Sequence, residues 1–239
     1  MDSITLQPFD RIFNDEQMER IKQAKVINND NLYYALRKNE YRKEVNKWLI
    51  YFKNKGWLDR FEQRLRMATT WPSFYSKINE LRTGYFFEHR LGFQLTEYEA
   101  TTNGHKNVDF KGIKNNIEFF IEVKTPLDLG QKDWRISGWD GDNKALVDYL
   151  LDKAIMQLPQ NGNNIVVLSD DLKPPLSDDE TITPSIREFF TSCDLIGCVC
   201  ILGNTFLEDM YKWETVLNPN ATKPIEDSIF QEVEKKTET

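Results

Sequence analysis

The chain has 239 residues, 40% hydrophobic and 29% charged, with 31 Lys+Arg against 38 Asp+Glu for a formal net charge of −7. That balance excludes a disordered chain and a uniformly basic nucleic-acid binder, and no run approaches the roughly 20 apolar residues of a membrane helix. The start, Met1-Asp2-Ser3, has neither the basic nor the apolar region of a signal peptide, so a cytoplasmic location is expected.

Charge is unevenly spread. Residues 1–70 hold 14 Lys+Arg against 10 Asp+Glu, a net of +4; residues 71–135 hold 9 of each; residues 136–239 hold 8 against 19, a net of −11. Asp15–Ala68 reads as two or three helices with breaks near Asn28-Asn29 and Gly56. Leu32, Leu36, Val45, Trp48, Leu49 and Phe52 fall at helical spacing and predict a buried stripe. Basic residues such as Arg37-Lys38 and Arg42-Lys43 interleave with Tyr33, Tyr34, Tyr41 and Tyr51. A mixture of this kind can hold a phosphate backbone and stack bases, and a solvated helix face produces the same pattern. Thr69-Thr70-Trp71-Pro72 marks the join, so residues 1–70 are read as a helical extension.

Beyond the join, Ser73–Leu91 reads as a helix between Pro72 and Gly92, with Glu80, Gly84 and Glu88 at successive i, i+4 steps on one face. Phe93–Tyr98 follows as a first strand. Asn107–Ile113 and Asn116–Lys124 form a hairpin about Lys114-Asn115-Asn116. Gly130–Asn143, with Trp134 and Trp139, is a loop, and Lys144–Leu158 a helix with Lys153 and Gln157 one turn apart. Asn164–Ser169 is a buried strand, Leu172–Pro184 an acidic loop, Pro184–Ser192 a helix, and Leu195–Leu202 another buried strand. Cys198 and Cys200 share one face of that strand as small core hydrophobes. Residues 71–217 thus predict an α/β core, a mixed β-sheet flanked by helices. Asn218–Thr239 is a polar C-terminal tail expected to fray, with Ile225, Ile229 and Phe230 able to dock a last helical turn.

The chemistry concentrates at Glu122-Val123-Lys124, which ends the apolar run Ile117–Ile121. Alternation along a strand puts Glu122 and Lys124 on one face and Ile121 and Val123 on the other. A carboxylate beside an ammonium on a partly buried strand is costly unless a metal, partner or ligand uses it. The bare (D/E)-x-K tripeptide also occurs at Asp109, Asp142, Asp171 and Glu234, but only Glu122 ends an apolar β-rich run with an earlier strand-borne acid, Asp109. The order helix, strand, hairpin, together with Val108-Asp109 and Glu122-Val123-Lys124, resembles the PD-(D/E)xK phosphodiesterase superfamily, the restriction-endonuclease-like nucleases. Val108 stands where that family usually has Pro.

The resemblance covers about Ser73–Leu202 and implies a restriction-endonuclease-like fold acting on nucleic acid, with DNA the expected substrate. It implies Mg²⁺ (or Mn²⁺) held by Asp109, Glu122 and a helical Glu80, with Glu88 as the alternative, and by the backbone carbonyl of Val123. Lys124 would orient the attacking water, and Gln157, or Lys153, would reach toward the scissile phosphate. The other reading of Glu122 and Lys124 is a surface pair on a half-exposed strand. In that case the chain is a catalytically inactive module acting in nucleic-acid or protein binding. Two histidines, His89 and His105, and no GxxxxGK(S/T) loop leave hydrolase triads and NTP-driven motors without support.

Overall fold

The computed structural model describes residues 7–24, 31–102, 106–125, 143–170, 182–204 and 211–232. The breaks at Asn28-Asn29, the loop with Trp134 and Trp139, most of the acidic loop and the last seven residues lie outside them. The chain divides into two compact units, Met1–Arg82 and Thr83–Thr239.

Within the described residues of the first unit, five short helices precede a longer one: α1 (Pro8–Ile12), α2 (Asp15–Gln23), α3 (Asn31–Arg37), α4 (Asn39–Asn54), α5 (Leu58–Met67) and α6 (Trp71–His89). Two or three helices were expected over Asp15–Ala68; the extra break falls at Lys38, whose extended ψ ends α3 and caps α4. Asn14 caps α2, its side chain accepting from the Gln17 N–H at 3.0 Å. Gly56, at φ +75°, supplies the left-handed residue that stops α4 and lets the Trp57 N–H return to the Phe52 carbonyl. Every residue of the expected apolar stripe is buried. Arg20 donates to the carbonyls of Arg66 and Ala68, placing a cation at the C-terminal end of α5, where the helix dipole favours it. The division between units falls inside α6, whereas Thr70, which bonds Ser73, marks only that helix's start.

The second unit is α/β. Its six strands are β1 (Gln94–Thr102), β2 (Lys106–Lys114), β3 (Ile117–Lys124), β4 (Asn163–Asp170), β5 (Cys198–Asn204) and β6 (Tyr211–Leu217), with α7 (Asn143–Ile155) and α8 (Ile182–Phe189) between them. They form one open sheet in sequence order, antiparallel across β1–β2–β3, parallel across β3–β4–β5, and antiparallel again at β6. The mixed sheet follows from the connections. Two residues join β2 to β3, and helices carry the chain from β3 to β4 and from β4 to β5. Asn115 and Asn116, at φ +52° and +60°, make the two-residue turn; their short polar side chains tolerate that conformation.

One side of the sheet is covered by α7 and α8. Val147, Leu150, Leu151 and Ile186 pack there on Val166, Leu168, Val199 and Ile201. Cys198 and Cys200 are fully buried in β5, and burial pushes the Cys198 thiol well above its usual range. β6 was absent from the sequence reading because Lys212, Trp213, Glu214 and Thr215 interrupt its apolar pattern. The tail is not frayed over its described part. Ile225, Ile229 and Phe230 are buried, a 3-10 helix forms at Asp227–Phe230, and the Trp213 indole donates to Glu232 at 3.1 Å. Lys114 fastens it further, donating to the carbonyls of Leu91 and Gln231; burial lowers the pKa of this ammonium. Among the described residues no helix is long and apolar enough to cross a membrane.

Candidate active site

The β2–β3 hairpin brings the expected strand residues together. Its ladder runs from Lys114↔Ile117 to Phe110↔Ile121, and one further step of that register sets Asp109 opposite Glu122. There the side chains take over from the backbone. The Asp109 N–H donates to Glu122 Oε2 at 3.3 Å, and the Val123 N–H donates to Asp109 Oδ2 at 2.8 Å. Each carboxylate is therefore held by the opposite strand, just past the last paired step of the ladder. Hydrogen bonds of this type to ionised carboxylates are among the stronger ones.

Glu122 pairs in register with Val166, and Lys124 with Leu168; both partners belong to the core under α7 and α8, so the two charged side chains share that face. The Glu122 side chain is 2% exposed and that of Lys124 11%; Lys124 Nζ lies 2.6 Å from Glu122 Oε1. Glu122 and Lys124 are thus not the half-exposed surface pair of the second sequence reading. Glu122 is buried and Lys124 largely so, and such an ion pair survives only where good geometry and further hydrogen bonds offset the loss of water.

Gln157 supplies one of those bonds. Its Oε1 accepts from Lys124 Nζ at 2.6 Å, and its Nε2 donates to the Asn107 carbonyl at 3.1 Å. The two contacts fix which end of the amide is oxygen, since ammonium only donates and a carbonyl only accepts. Its own carbonyl accepts from Thr102 Oγ1 at 3.3 Å. Gln157 lies just beyond α7, in the turn where its N–H returns to the Ala154 carbonyl, rather than on the helix itself. Thr102 in β1, Gln157 after α7, and Lys124, Glu122 and Asp109 on the hairpin thus form one continuous chain of contacts.

The remaining sequence candidates have contacts of their own. Lys153 is exposed, its ammonium 5.5 Å from the Tyr149 ring centroid. The Glu88 carboxylate accepts from the Leu95 N–H at 3.2 Å, bracing the entry to β1. Glu80 is buried on the first unit's part of α6 and takes the Lys77 ammonium one turn back. Among the described residues no group of three or more His, Cys, Asp or Glu side chains is disposed to hold a metal ion. Val123 contributes its N–H to Asp109 and stands next to Glu122 in β3.

Sequence reasoning missed one residue at this level of the sheet. Glu99 lies beyond the expected end of the first strand, yet β1 continues through it to Thr102. It is 5% exposed and sits at φ +53°. Left-handed backbone at a buried glutamate has no sequence signature, because Gly, Asn and Asp are the residues that announce it. Comparison with known proteins finds no family model, no curated protein and no solved structure that matches this chain.

Proposed function

We propose that the chain is a metal-dependent nuclease that hydrolyses phosphodiester bonds in DNA, with a restriction-endonuclease-like α/β unit. The observation that carries this reading is the buried Glu122–Lys124 pair joined through backbone N–H groups to Asp109. A stabilising core would fill such a position with apolar groups, since a buried ion pair replaced by well-packed hydrophobes often leaves a protein equally or more stable.

The residues fit a hard divalent cation. Asp109 and Glu122 offer carboxylate oxygens on facing strands, with the Val123 carbonyl as a further oxygen donor. Mg²⁺ keeps several waters and is commonly held by one or two carboxylates with substrate phosphate, so a third protein ligand is not required. When bound, the ion polarises the phosphate and lowers the pKa of its water. Lys124, held between Glu122 and Gln157, keeps its ammonium aimed, able to orient the attacking water and offset charge developing on the phosphate. Gln157 acts through Lys124 by fixing its position. The carboxylates, anchored by the N–H groups of Asp109 and Val123, hold their geometry without reorganising.

Nicking of supercoiled plasmid in Mg²⁺ or Mn²⁺, with a chelator control, tests the reading. Wild type is expected to cut, and Asp109→Asn or Glu122→Gln to abolish cutting. Loss of an electrostatic group such as Lys124 typically lowers the rate by about 10²–10³. A wild-type protein that cleaves no DNA or RNA form with either metal would overturn the proposal and leave a binding module.

A further inference from the structure

Glu99 occupies a position that the proposed chemistry has not used. β1 pairs with β2 at Tyr98↔Phe110 and Ala100↔Val108, so Glu99 lies directly opposite Asp109. Regular pleating keeps residues two apart on the same face. These do not stay together. Ala100 and Val108 belong to the core under α7 with Val147 and Val166, whereas Tyr98 and Phe110 lie outside that cluster, their rings 5.4 Å apart. Both strands change their packing at one level, and at that level stands the left-handed residue, φ +53°. There too the β2–β3 ladder ends and Asp109 turns to the Val123 N–H.

We infer that Glu99 is a positioning residue: its left-handed backbone turns the β1–β2 ribbon at the level of Asp109 and thereby holds that carboxylate against the Val123 N–H. The work is done by the conformation rather than by the glutamate's charge. Glycine and asparagine can supply it, and a β-branched residue cannot. For its activity arm the inference rests on the nuclease reading; its structural arm does not.

The test compares Glu99→Gly, Glu99→Asn and Glu99→Val in the full chain. Amide hydrogen exchange at Val123, the donor to Asp109, is the structural readout. Glu99→Gly and Glu99→Asn are expected to keep wild-type protection, and Glu99→Val to speed exchange at this amide by on the order of tenfold, the cost of forcing a left-handed backbone. In Mg²⁺-dependent nicking, Glu99→Val should lower kcat by a similar factor with KM unchanged, and Glu99→Gly should restore it. If Glu99→Val fails to fold, Glu99→Thr, whose branched Cβ also disfavours the conformation, takes its place. Folded Glu99→Val with wild-type protection at Val123 would overturn the inference. So would Glu99→Gly with protection intact and kcat lost, since the carboxylate would then be what acts. If wild type does not cut at all, the nuclease reading fails and the exchange comparison still decides the role of Glu99.

Discussion

In the helical unit Arg11, Arg42 and Arg66 reach Asp59, Asp10 and Glu62 at the protein surface, whereas in the β2–β3 hairpin Lys124 reaches Glu122 inside it. The Arg66 side chain is 63% exposed and that of Lys124 11%. Exposed pairs gain little, because water already solvates both partners and salt screens what remains. The buried pair has lost that water and depends on each neighbour that replaces it. The charges of these three surface pairs can therefore be exchanged with little consequence, while those of the hairpin are bound to one another and to the backbone.

Lys124→Ala breaks the comparison most severely. Removing one partner of a buried pair leaves the other uncompensated and typically costs about 3–5 kcal/mol. Adding Glu122→Gln to the same chain should recover part of that loss, because a neutral amide no longer needs the ammonium. Urea denaturation of the two variants measures both. A loss from Lys124→Ala below about 1 kcal/mol would place the pair in the same class as the surface ones.

Arg42 sharpens the comparison from the other side. It pairs with Asp10 and its guanidinium carbon lies 4.8 Å from the Phe9 ring centroid, so a residue that the sequence offered as a phosphate contact is engaged within its own unit. Arg42→Ala should cost about 1 kcal/mol, the sum expected of an exposed pair and a partly exposed cation–π contact. Denaturation that leaves stability unchanged would return Arg42 to the pool of residues available to a ligand.

Lys43, exposed on the same helix, gives the smallest expected change. Lys43→Glu should alter stability by less than about 0.5 kcal/mol. If the basic face meets DNA, the slope of log affinity against log salt should fall in magnitude by about 0.9 for one lost phosphate contact. An unchanged slope assigns this face to solvent.

Much of the second unit was legible in the chain. The Asn115-Asn116 turn, the apolar β4 and β5 runs, and the helices between strands each carry a local signal, and together they dictate a mixed sheet. Glu122 and Lys124 were legible as neighbours because a strand's period of two is fixed. Gln157 was legible only through a resemblance; the structure joins it to Lys124 through a turn beyond the helix rather than from the helix face. β6 was not legible and the tail only in part: Ile225, Ile229 and Phe230 read as able to dock, but the partners they meet, such as Phe93 and Trp213 around Phe230, lie far away in sequence.

By itself the sequence determined the periodicities: which segments coil, which extend, and which side chains share a strand face. Tertiary structure alone decided that the Glu122–Lys124 pair is buried, that Asp109 leaves the ladder to accept from Val123, that Glu88 braces β1, and that Arg42 is spent on Asp10. Periodicity is a property of neighbouring residues and survives in any context. Burial and the choice of hydrogen-bond partner depend on what the rest of the chain brings alongside, and no local pattern records that.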